Sequence, residues 1–209
     1  MDANRRKRNE LAAQRVIKGL ESRNMNGFYA ADREEALKIA LELIPEGSTV
    51  TMGGSVSANE IGLVNAVKEG NYIFIDRDAA EDRKKAMRDA FNADVFLTST
   101  NAMTEDGILV NIDGFANRVA AIAFGPEKVV FIVGMNKVCS DVDGAVKRAR
   151  NVAATSNAQR FDMGTPCHLS GSCSDCKHIN TICCQFLVTR FSREKDRINV
   201  ILVNDNLGF

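Results

Sequence analysis

Short apolar runs alternate with segments of helical periodicity along most of this chain. The runs at residues 49–52, 95–98 and 128–133 are each too short for a helix, and glycine or polar residues follow every one of them. Between them, apolar residues such as Ile61, Val64 and Val67 recur at the spacing of one helix face. This alternation is typical of parallel strands joined by helices that cover both faces of a sheet. The predicted fold class is therefore α/β, with a mainly parallel, Rossmann-like sheet flanked by helices.

The same patterns give the remaining predicted elements. Further helices are expected at residues 4–23, 32–44, 79–91, 117–124 and 141–154, and further strands at residues 28–30 and 72–75. Residues 103–113 are expected to form two extended arms joined by a turn at Glu105, Asp106 and Gly107. The runs at residues 186–191 and 197–203 are expected to close the fold as antiparallel strands. We predict one domain over residues 1–209, with an N-terminal helix in residues 1–24 and a cysteine-rich loop, residues 157–184, as an insertion.

Composition and charge exclude several classes of partner. The 209 residues are 45 % apolar and 26 % charged, which is ordinary for a soluble domain. Lys+Arg and Asp+Glu balance at 27 each, so no overall field attracts nucleic acid or an anionic membrane. No apolar stretch approaches the roughly twenty residues that span a bilayer, and the charged N-terminus has no apolar signal segment. We therefore expect a soluble, cytoplasmic protein with no nucleic acid and no membrane among its partners.

Five of the six cysteines fall within eighteen residues, at positions Cys167, Cys173, Cys176, Cys183 and Cys184. Two residues separate Cys173 from Cys176, a spacing that lets both thiolates turn toward one ion. The glycine, serine and proline residues around them favour turns over a regular element, so a metal would order this loop. We predict a metal site with Cys167, Cys173, Cys176 and Cys183 as ligands, because adjacent cysteines rarely both bind one ion.

The cysteine spacing leaves the identity of the metal open. Thiolates suit an iron–sulfur cluster and Zn²⁺ alike, and gaps of five, two and six residues match neither a standard zinc finger nor a ferredoxin run. His168 and His178 are alternative ligands, since both lie beside the cysteines. A disulfide framework is less favoured because such frameworks belong to small secreted domains. Plain buried thiols are less favoured because they scatter along strands, as we expect for Cys139.

Polar residues follow three of the predicted strands, and in open α/β sheets ligands bind at such strand ends. Gly53, Gly54 and Ser55 follow the strand at residues 49–52 and precede a helix that carries Glu60 in its first turn. Glycines there would let a phosphate or carboxylate approach the backbone and the start of the helix. The pattern is neither a dinucleotide fingerprint nor a P-loop, so a plain tight turn is the alternative.

The other two groups supply hydroxyls, amides and cations. Thr98 ends the strand at residues 95–98, Thr100 and Asn101 come just after it, and these residues could hold a small polar ligand. Glu105 is the candidate catalytic group, as nucleophile or general base, although it also suits an ordinary turn. The third group could neutralise an anionic substrate, or could simply cap helices at the surface. It comprises Asn117, Arg118, Asn136 and Lys137.

Seven short runs stand in a recognisable order along the chain. They are GGS at residues 53–55, EIGL at 60–63, ADVFLTSTNA at 93–102, EDG at 105–107, NR at 117–118, GP at 125–126 and VGMNK at 133–137. Together they resemble the LUD domain (DUF162) of lactate utilisation proteins, and in particular a short, stand-alone, lactate utilisation protein C-like member. The resemblance covers nearly the whole chain. It implies the fold shared by glucosamine-6-phosphate deaminase, ribose-5-phosphate isomerase and CoA transferases, which bind phosphosugars or acyl-CoA at strand ends.

The resemblance also implies a link to the oxidation of L-lactate to pyruvate, in which LUD proteins act alongside iron–sulfur components. This chain lacks the paired ferredoxin-like cysteine runs of a long iron–sulfur subunit. We therefore expect an accessory or subunit with one iron–sulfur cluster in the cysteine loop, or a zinc ion that braces it. The implied partners are an anionic small-molecule ligand and iron–sulfur oxidoreductase subunits, and a homo-oligomer stays an option. The alternative is an independent enzyme or binding protein for a phosphosugar or CoA-type ligand, since one fold hosts many reactions.

Overall fold

The computed structural model describes residues 2–209. The α-helices in this range are α1 (Ala3–Ser22), α2 (Arg33–Leu43), α3 (Val56–Glu60), α4 (Leu63–Glu69), α5 (Arg83–Asp89), α6 (Asn117–Phe124), α7 (Val142–Arg148), α8 (Thr155–Ala158) and α9 (Pro166–Ser170). The strands are β1 (Asn26–Ala30), β2 (Thr49–Met52), β3 (Ile73–Ile75), β4 (Val95–Thr98), β5 (Ala102–Thr104), β6 (Leu109–Asp113), β7 (Lys128–Gly134), β8 (Val138–Cys139), β9 (Gln185–Thr189) and β10 (Ile198–Val203). None of these helices has both the length and the apolar character that crossing a membrane requires.

A six-stranded sheet of order β1-β10-β7-β4-β2-β3 forms the centre of the fold, and every neighbouring pair in it is parallel. Strand β10 lies between β1 and β7, so that Val200 is opposite Gly27 on one side and Phe131 on the other. All six residues of β10 are buried. The expectation that this segment closes the fold as an antiparallel strand is therefore wrong. Its nearly unbroken apolar run fits a parallel strand that is covered on both faces.

Helices cover both faces of this central sheet. Helix α1 packs Ala13, Val16 and Leu20 against one face, while helices α2 and α4 pack against the other. Alternate residues of β7 divide between the two faces, with Phe131 in the first cluster and Ile132 in the second. This alternation follows from the two-residue period of a strand and confirms the α/β fold class.

A smaller four-stranded sheet of order β8-β5-β6-β9 lies beside the main one. Strands β5 and β6 form the expected antiparallel hairpin, and β9 extends it as a second antiparallel neighbour of β6. The tip of the hairpin lies against α1, where a Cβ added at Gly19 would stand 2.5 Å from the carbonyl carbon of Asp106. Glycine at this position therefore permits a close backbone approach.

The helix predicted over residues 141–154 changes geometry part of the way along. Asp141 Oδ1 accepts a hydrogen bond from Gly144 N at 2.7 Å and begins α7. After Arg148 the chain continues as a π-helical stretch, Ala149–Ala154, and then returns to α geometry in α8. Such stretches recur at functional sites. Arg148, at the start of this change, contacts Asn136 O beside the main sheet, whereas Arg150, within the π-helical stretch, contacts Cys173 in the cysteine loop.

Strands β7, β4 and β2 are consecutive neighbours in the main sheet, and all three run in the same direction. Their carboxyl ends therefore meet at one edge. This arrangement collects the three polar segments that the sequence places after separate strands: the Gly53 segment, the Thr98 segment and the segment that ends at Lys137.

Candidate functional site

A cavity of about 1100 Å³ opens at the carboxyl ends of β2, β4 and β7. Most of the ligand-binding residues expected from the sequence line it. They are Gly53, Gly54, Ser55, Thr98, Thr100, Asn101, Asn117, Arg118 and Lys137. Segments far away in the sequence complete the wall, including Arg77, Arg160 and residues 179–182. The structure thus brings residues from separate loops to one concave surface, as ligand sites of open α/β sheets require.

Lys137 is the buried cation of this cavity, with only 3 % of its surface exposed. It ends the 3₁₀ turn Met135–Lys137 that follows β7. Its Nζ donates hydrogen bonds to Ser57 Oγ at 3.1 Å and Ser99 Oγ at 3.0 Å. No carboxylate within residues 2–209 forms an ion pair with it.

The surroundings of Lys137 disfavour its charged form. Burial, together with the positive charges of Arg148 and Arg118, lowers the pKa of Lys137 to about 7, against an opposing effect of Glu60. A lysine near this value exists in both protonation states at neutral pH. It can therefore act as an acid, a base or a nucleophile.

Arg118 is held in place by neutral oxygen atoms. Its Nη1 donates to Asn111 Oδ1 at 2.7 Å and Ser99 O at 3.2 Å, and its Nη2 donates to Asn101 Oδ1 at 2.8 Å and Ile112 O at 2.5 Å. Burial lowers the pKa of Arg118, while the carboxylate of Asp113 opposes that effect. Both terminal nitrogens are thus used inside the protein. Arg118 contributes positive charge to the cavity and orders the loops around it, rather than offering a free two-pronged clamp.

The two glycines after β2 make space for arginine side chains. Gly54 has a φ of +78°, and a Cβ there would stand 2.5 Å from Arg77 Nη2. A Cβ at Gly53 would lie 3.0 Å from Arg118 Cγ. Ser55 uses its hydroxyl to accept from Ala58 N at 3.2 Å, as the cap of α3. The glycine pair therefore shapes the arginine side of the cavity, and α3 has only five residues.

Three of the expected site residues lie outside the lining of the cavity. Glu60 Oε2 accepts from Gly208 N at 2.7 Å, and Asn136 Oδ1 accepts from Leu207 N at 3.1 Å, so both fasten the C-terminal residues. Glu105 lies at the hairpin turn beside α1, where its Oε1 is 3.5 Å from Arg15 Nη2. The structure therefore places Glu105 away from the cavity, because the hairpin extends towards α1.

Sequence reasoning missed several residues of the site. Ser99 lies within the run at residues 93–102, and Ser57 lies two residues after the run at residues 53–55, so their hydroxyl groups were the available signal. Arg148 carries no such signal, since it lies in an ordinary amphipathic helix. It nevertheless reaches Asn136 O at 2.9 Å and Asn101 O at 2.5 Å. Its contribution depends on the tertiary packing of α7.

The four cysteines proposed as metal ligands line a second, smaller cavity of about 60 Å³. Cys167, Cys173, Cys176 and Cys183 all contribute to it, while Cys184 lines the large cavity instead. Thr181 and Ile182 line both cavities. The segment before Cys183 is thus a shared wall. Neither histidine near the cysteines belongs to the lining of the small cavity.

Electrostatics couples the cysteines of the small cavity. Burial, together with the neighbouring Cys167, Cys173 and Cys176, raises the pKa of Cys183 to about 11. Arg150 opposes it; its Nη2 is 3.6 Å from Cys173 Sγ and 2.5 Å from Asp175 Oδ1. All six cysteines are free thiols. As the side chains of residues 2–209 stand, no three of His, Cys, Asp or Glu form a group that could hold a metal ion. Binding would therefore require the sulfur atoms to move.

Comparisons with known proteins identify the relatives of this chain. The family model described as LUD domain matches residues 13–203. The crystal structure of a DUF162 family protein from Deinococcus radiodurans is similar over 95 % of this chain and 98 % of that one, with a TM-score of 0.50 and 14 % identity. eIF2B delta from Chaetomium thermophilum has a TM-score of 0.34 and 16 % identity over 67 % of this chain and 57 % of that one. Comparison with curated proteins finds no match.

Proposed function

Because this chain belongs to the LUD domain family, we propose that it is a lactate-utilisation-type protein whose large cavity binds a small anionic molecule. Its role would be that of an accessory or subunit of an L-lactate-oxidising system. The observation that carries the proposal is Lys137, a buried cation held by neutral hydroxyls at the carboxyl ends of the strands.

The balance of charge supports an anionic ligand. Arg118 and Arg148 both act electrostatically on Lys137, and the recorded side-chain hydrogen bonds of Lys137 and Arg118 go to neutral oxygen atoms. Asp113, the nearby acid, already accepts from the backbone N–H groups of Arg118 and Val119. Grouped buried cations are costly without a counter-charge. A bound carboxylate or phosphate would supply the negative counter-charge, and its attraction to the cations would hold it in the cavity.

The volume of the cavity favours a second candidate ligand. At about 1100 Å³ it is far larger than a three-carbon acid needs and lies at the upper end of small-molecule pockets. A phosphosugar or a CoA-type ligand would fill it better. The alternative function is thus an independent enzyme or binding protein for such an anion.

The cysteine cavity supports an iron–sulfur cluster as the second component of the proposal. Four soft thiols line one cavity, and Arg150 Nη2 lies 3.6 Å from Cys173 Sγ, so a positive charge stands beside the sulfur atoms. Cys167, Cys173, Cys176 and Cys183 would hold the cluster after moving inward, and the cluster would supply one-electron transfer. A zinc ion on the same ligands would brace the loop without redox chemistry.

Calorimetric titration tests the anion site. L-lactate, pyruvate, glucosamine 6-phosphate and CoA should be titrated into the wild-type chain, into Lys137→Met and into Lys84→Met. Lys84 is an exposed lysine that lines the same cavity, so its variant controls for nonspecific loss of charge. Binding of at least one anion that disappears only in Lys137→Met is expected. Saturation by L-lactate or pyruvate favours the lactate-oxidising role, whereas saturation by the larger anions alone favours the alternative. Equal binding by all three proteins would refute the site.

Metal analysis after anaerobic purification tests the cluster. Iron and acid-labile sulfide should be present in the wild type and in Cys139→Ser, whose cysteine lies outside the small cavity, and should be lost in Cys173→Ser. Stoichiometric zinc with the same dependence would replace the redox role by a structural one. Metal-free protein in all three preparations would remove this component of the proposal.

A further inference from the structure

We propose that Lys137 forms a covalent imine with the carbonyl group of a 2-oxo acid bound in the large cavity. This inference rests on the proposed anion site and deepens it by naming the chemical class of its ligand. A purely electrostatic site would bind hydroxy acids and oxo acids in the same way, whereas an imine-forming site would react covalently with the oxo acids alone.

The position of Lys137 suits a nucleophilic amine. Its side chain is buried, and it nevertheless lines the cavity where a ligand would sit. Two of its three N–H directions are used by Ser57 and Ser99, so one direction is left for the ligand. Burial next to other cations, here Arg148 and Arg118, is the setting in which a lysine becomes a nucleophile at neutral pH.

A counter-ion would oppose this chemistry, because a carboxylate paired with the ammonium would keep it protonated. Lys137 has hydroxyl partners instead. Glu60, the acid that acts on it electrostatically, accepts from Gly208 N. The free amine is thus accessible without breaking an ion pair.

The two serines can move the protons that imine formation requires. The lone pair of Lys137 Nζ attacks the carbonyl carbon, and the electron pair of the C=O bond moves to oxygen, which takes up a proton. The nitrogen then releases a proton, the C–O bond breaks, and the hydroxyl leaves with a second proton as water while C=N forms. Ser57 Oγ and Ser99 Oγ lie 3.1 Å and 3.0 Å from Nζ, within direct transfer distance. No oxidant or reductant is consumed.

Arg77 places a further guanidinium on the wall of the cavity. Among residues 2–209 its Nε has no hydrogen-bond partner, so the protein does not use all of its donors. Asp78 Oδ1 lies 3.7 Å from that Nε. Arg118, in contrast, already uses both terminal nitrogens. Arg77 is therefore a cation that can attract the carboxylate of a 2-oxo acid whose carbonyl group reacts with Lys137.

Reductive trapping tests the imine. The wild-type chain should be incubated with pyruvate and sodium cyanoborohydride, followed by intact-mass measurement and peptide mapping. We expect one reduced pyruvyl adduct on Lys137, its complete loss in Lys137→Arg and Lys137→Met, and its retention in Lys84→Arg. L-lactate, which has no carbonyl, should give no adduct and should slow trapping by pyruvate. Far-ultraviolet circular dichroism establishes that each variant is folded.

The outcomes separate this inference from the anion site itself. Calorimetric binding of pyruvate without an adduct, or an adduct spread equally over Lys84 and Lys137, overturns the imine and leaves the anion site standing. Absence of binding by every anion overturns the anion site and the imine together. An adduct confined to Lys137 and competed by L-lactate supports both.

Discussion

Lys137 should make the stability of this protein depend on pH in a way that one substitution removes. Its pKa falls from 10.5 in an exposed lysine to about 7 in the folded protein, because of burial and of Arg148 and Arg118, with Glu60 opposing. Between these two values the unfolded chain binds one more proton than the folded chain. The free energy of unfolding therefore rises with pH across this window. Below about pH 7 the folded protein carries the full cost of burying the protonated Lys137.

The size of the effect follows from the two pKa values. One proton of difference changes the free energy of unfolding by about 1.4 kcal/mol per pH unit, so the full window from 10.5 to about 7 corresponds to about 5 kcal/mol. Because Lys137 is half-protonated at about pH 7, the gain between pH 7 and pH 9 is about 2 kcal/mol. Replacement by Met also loses two hydrogen bonds, at about 1 kcal/mol each. Lys137→Met should then be about 2 kcal/mol more stable than the wild type at pH 7 and nearly equal to it at pH 9.

Urea unfolding of three proteins measures this difference. The wild type, Lys137→Met and Lys84→Met should be unfolded at pH 7, 8 and 9, and the free energies compared at each pH. Subtracting the variant from the wild type removes the titration of all other groups, and Lys84→Met shows the effect of losing an exposed lysine. A difference between wild type and Lys137→Met that stays flat from pH 7 to pH 9 would refute the depressed pKa and the reasoning built on it.

Three further substitutions test how the cavity is built. Arg118→Met should lower the free energy of unfolding by about 3 kcal/mol, because four part-buried oxygen atoms each lose a hydrogen bond from a charged donor; urea unfolding checks this, and a neutral change would contradict it. Gly19→Ala should destabilise by about 1–3 kcal/mol despite better helix propensity, because its Cβ would stand 2.5 Å from Asp106; a higher thermal midpoint would oppose this. Gly54→Ala should weaken pyruvate binding by displacing Arg77, as calorimetry can show.

Much of the fold can be predicted because some sequence patterns are compatible with only one kind of element. The apolar runs of β4 and β7 have too few polar residues for an exposed strand, so they read correctly as buried parallel strands. The position of β10 could not be read in the same way. Its apolar run predicts burial, but the partners of a strand depend on loops and helices far from it in sequence. The antiparallel assignment failed for that reason.

The candidate site likewise contains residues that the sequence predicts and residues that it does not. Gly53, Thr98 and Lys137 come together because parallel neighbours end at one edge, and sequence reveals where each strand ends. Glu105 also follows a strand, but that strand belongs to the hairpin, which runs towards α1. A sequence shows that a carboxylate lies in a turn, but it does not show in which direction that turn points. The role of Arg118 as an internal brace likewise depends on acceptors from two other segments, the connection between β4 and β5 and strand β6.

The π-helical stretch Ala149–Ala154 should allow this part of the chain to lose one residue without losing either cavity. Arg148, just before it, contacts the backbone of Asn101 and Asn136 beside the large cavity, whereas Ala154 and Thr155, at its far end, line the cysteine cavity. A π-helical turn holds about one residue more than an α-helical turn, so deletion of one codon within the stretch would restore α geometry and leave Arg148 and Thr155 in nearly their present orientations. The same deletion within α7 would instead rotate the residues beyond it by about 100°.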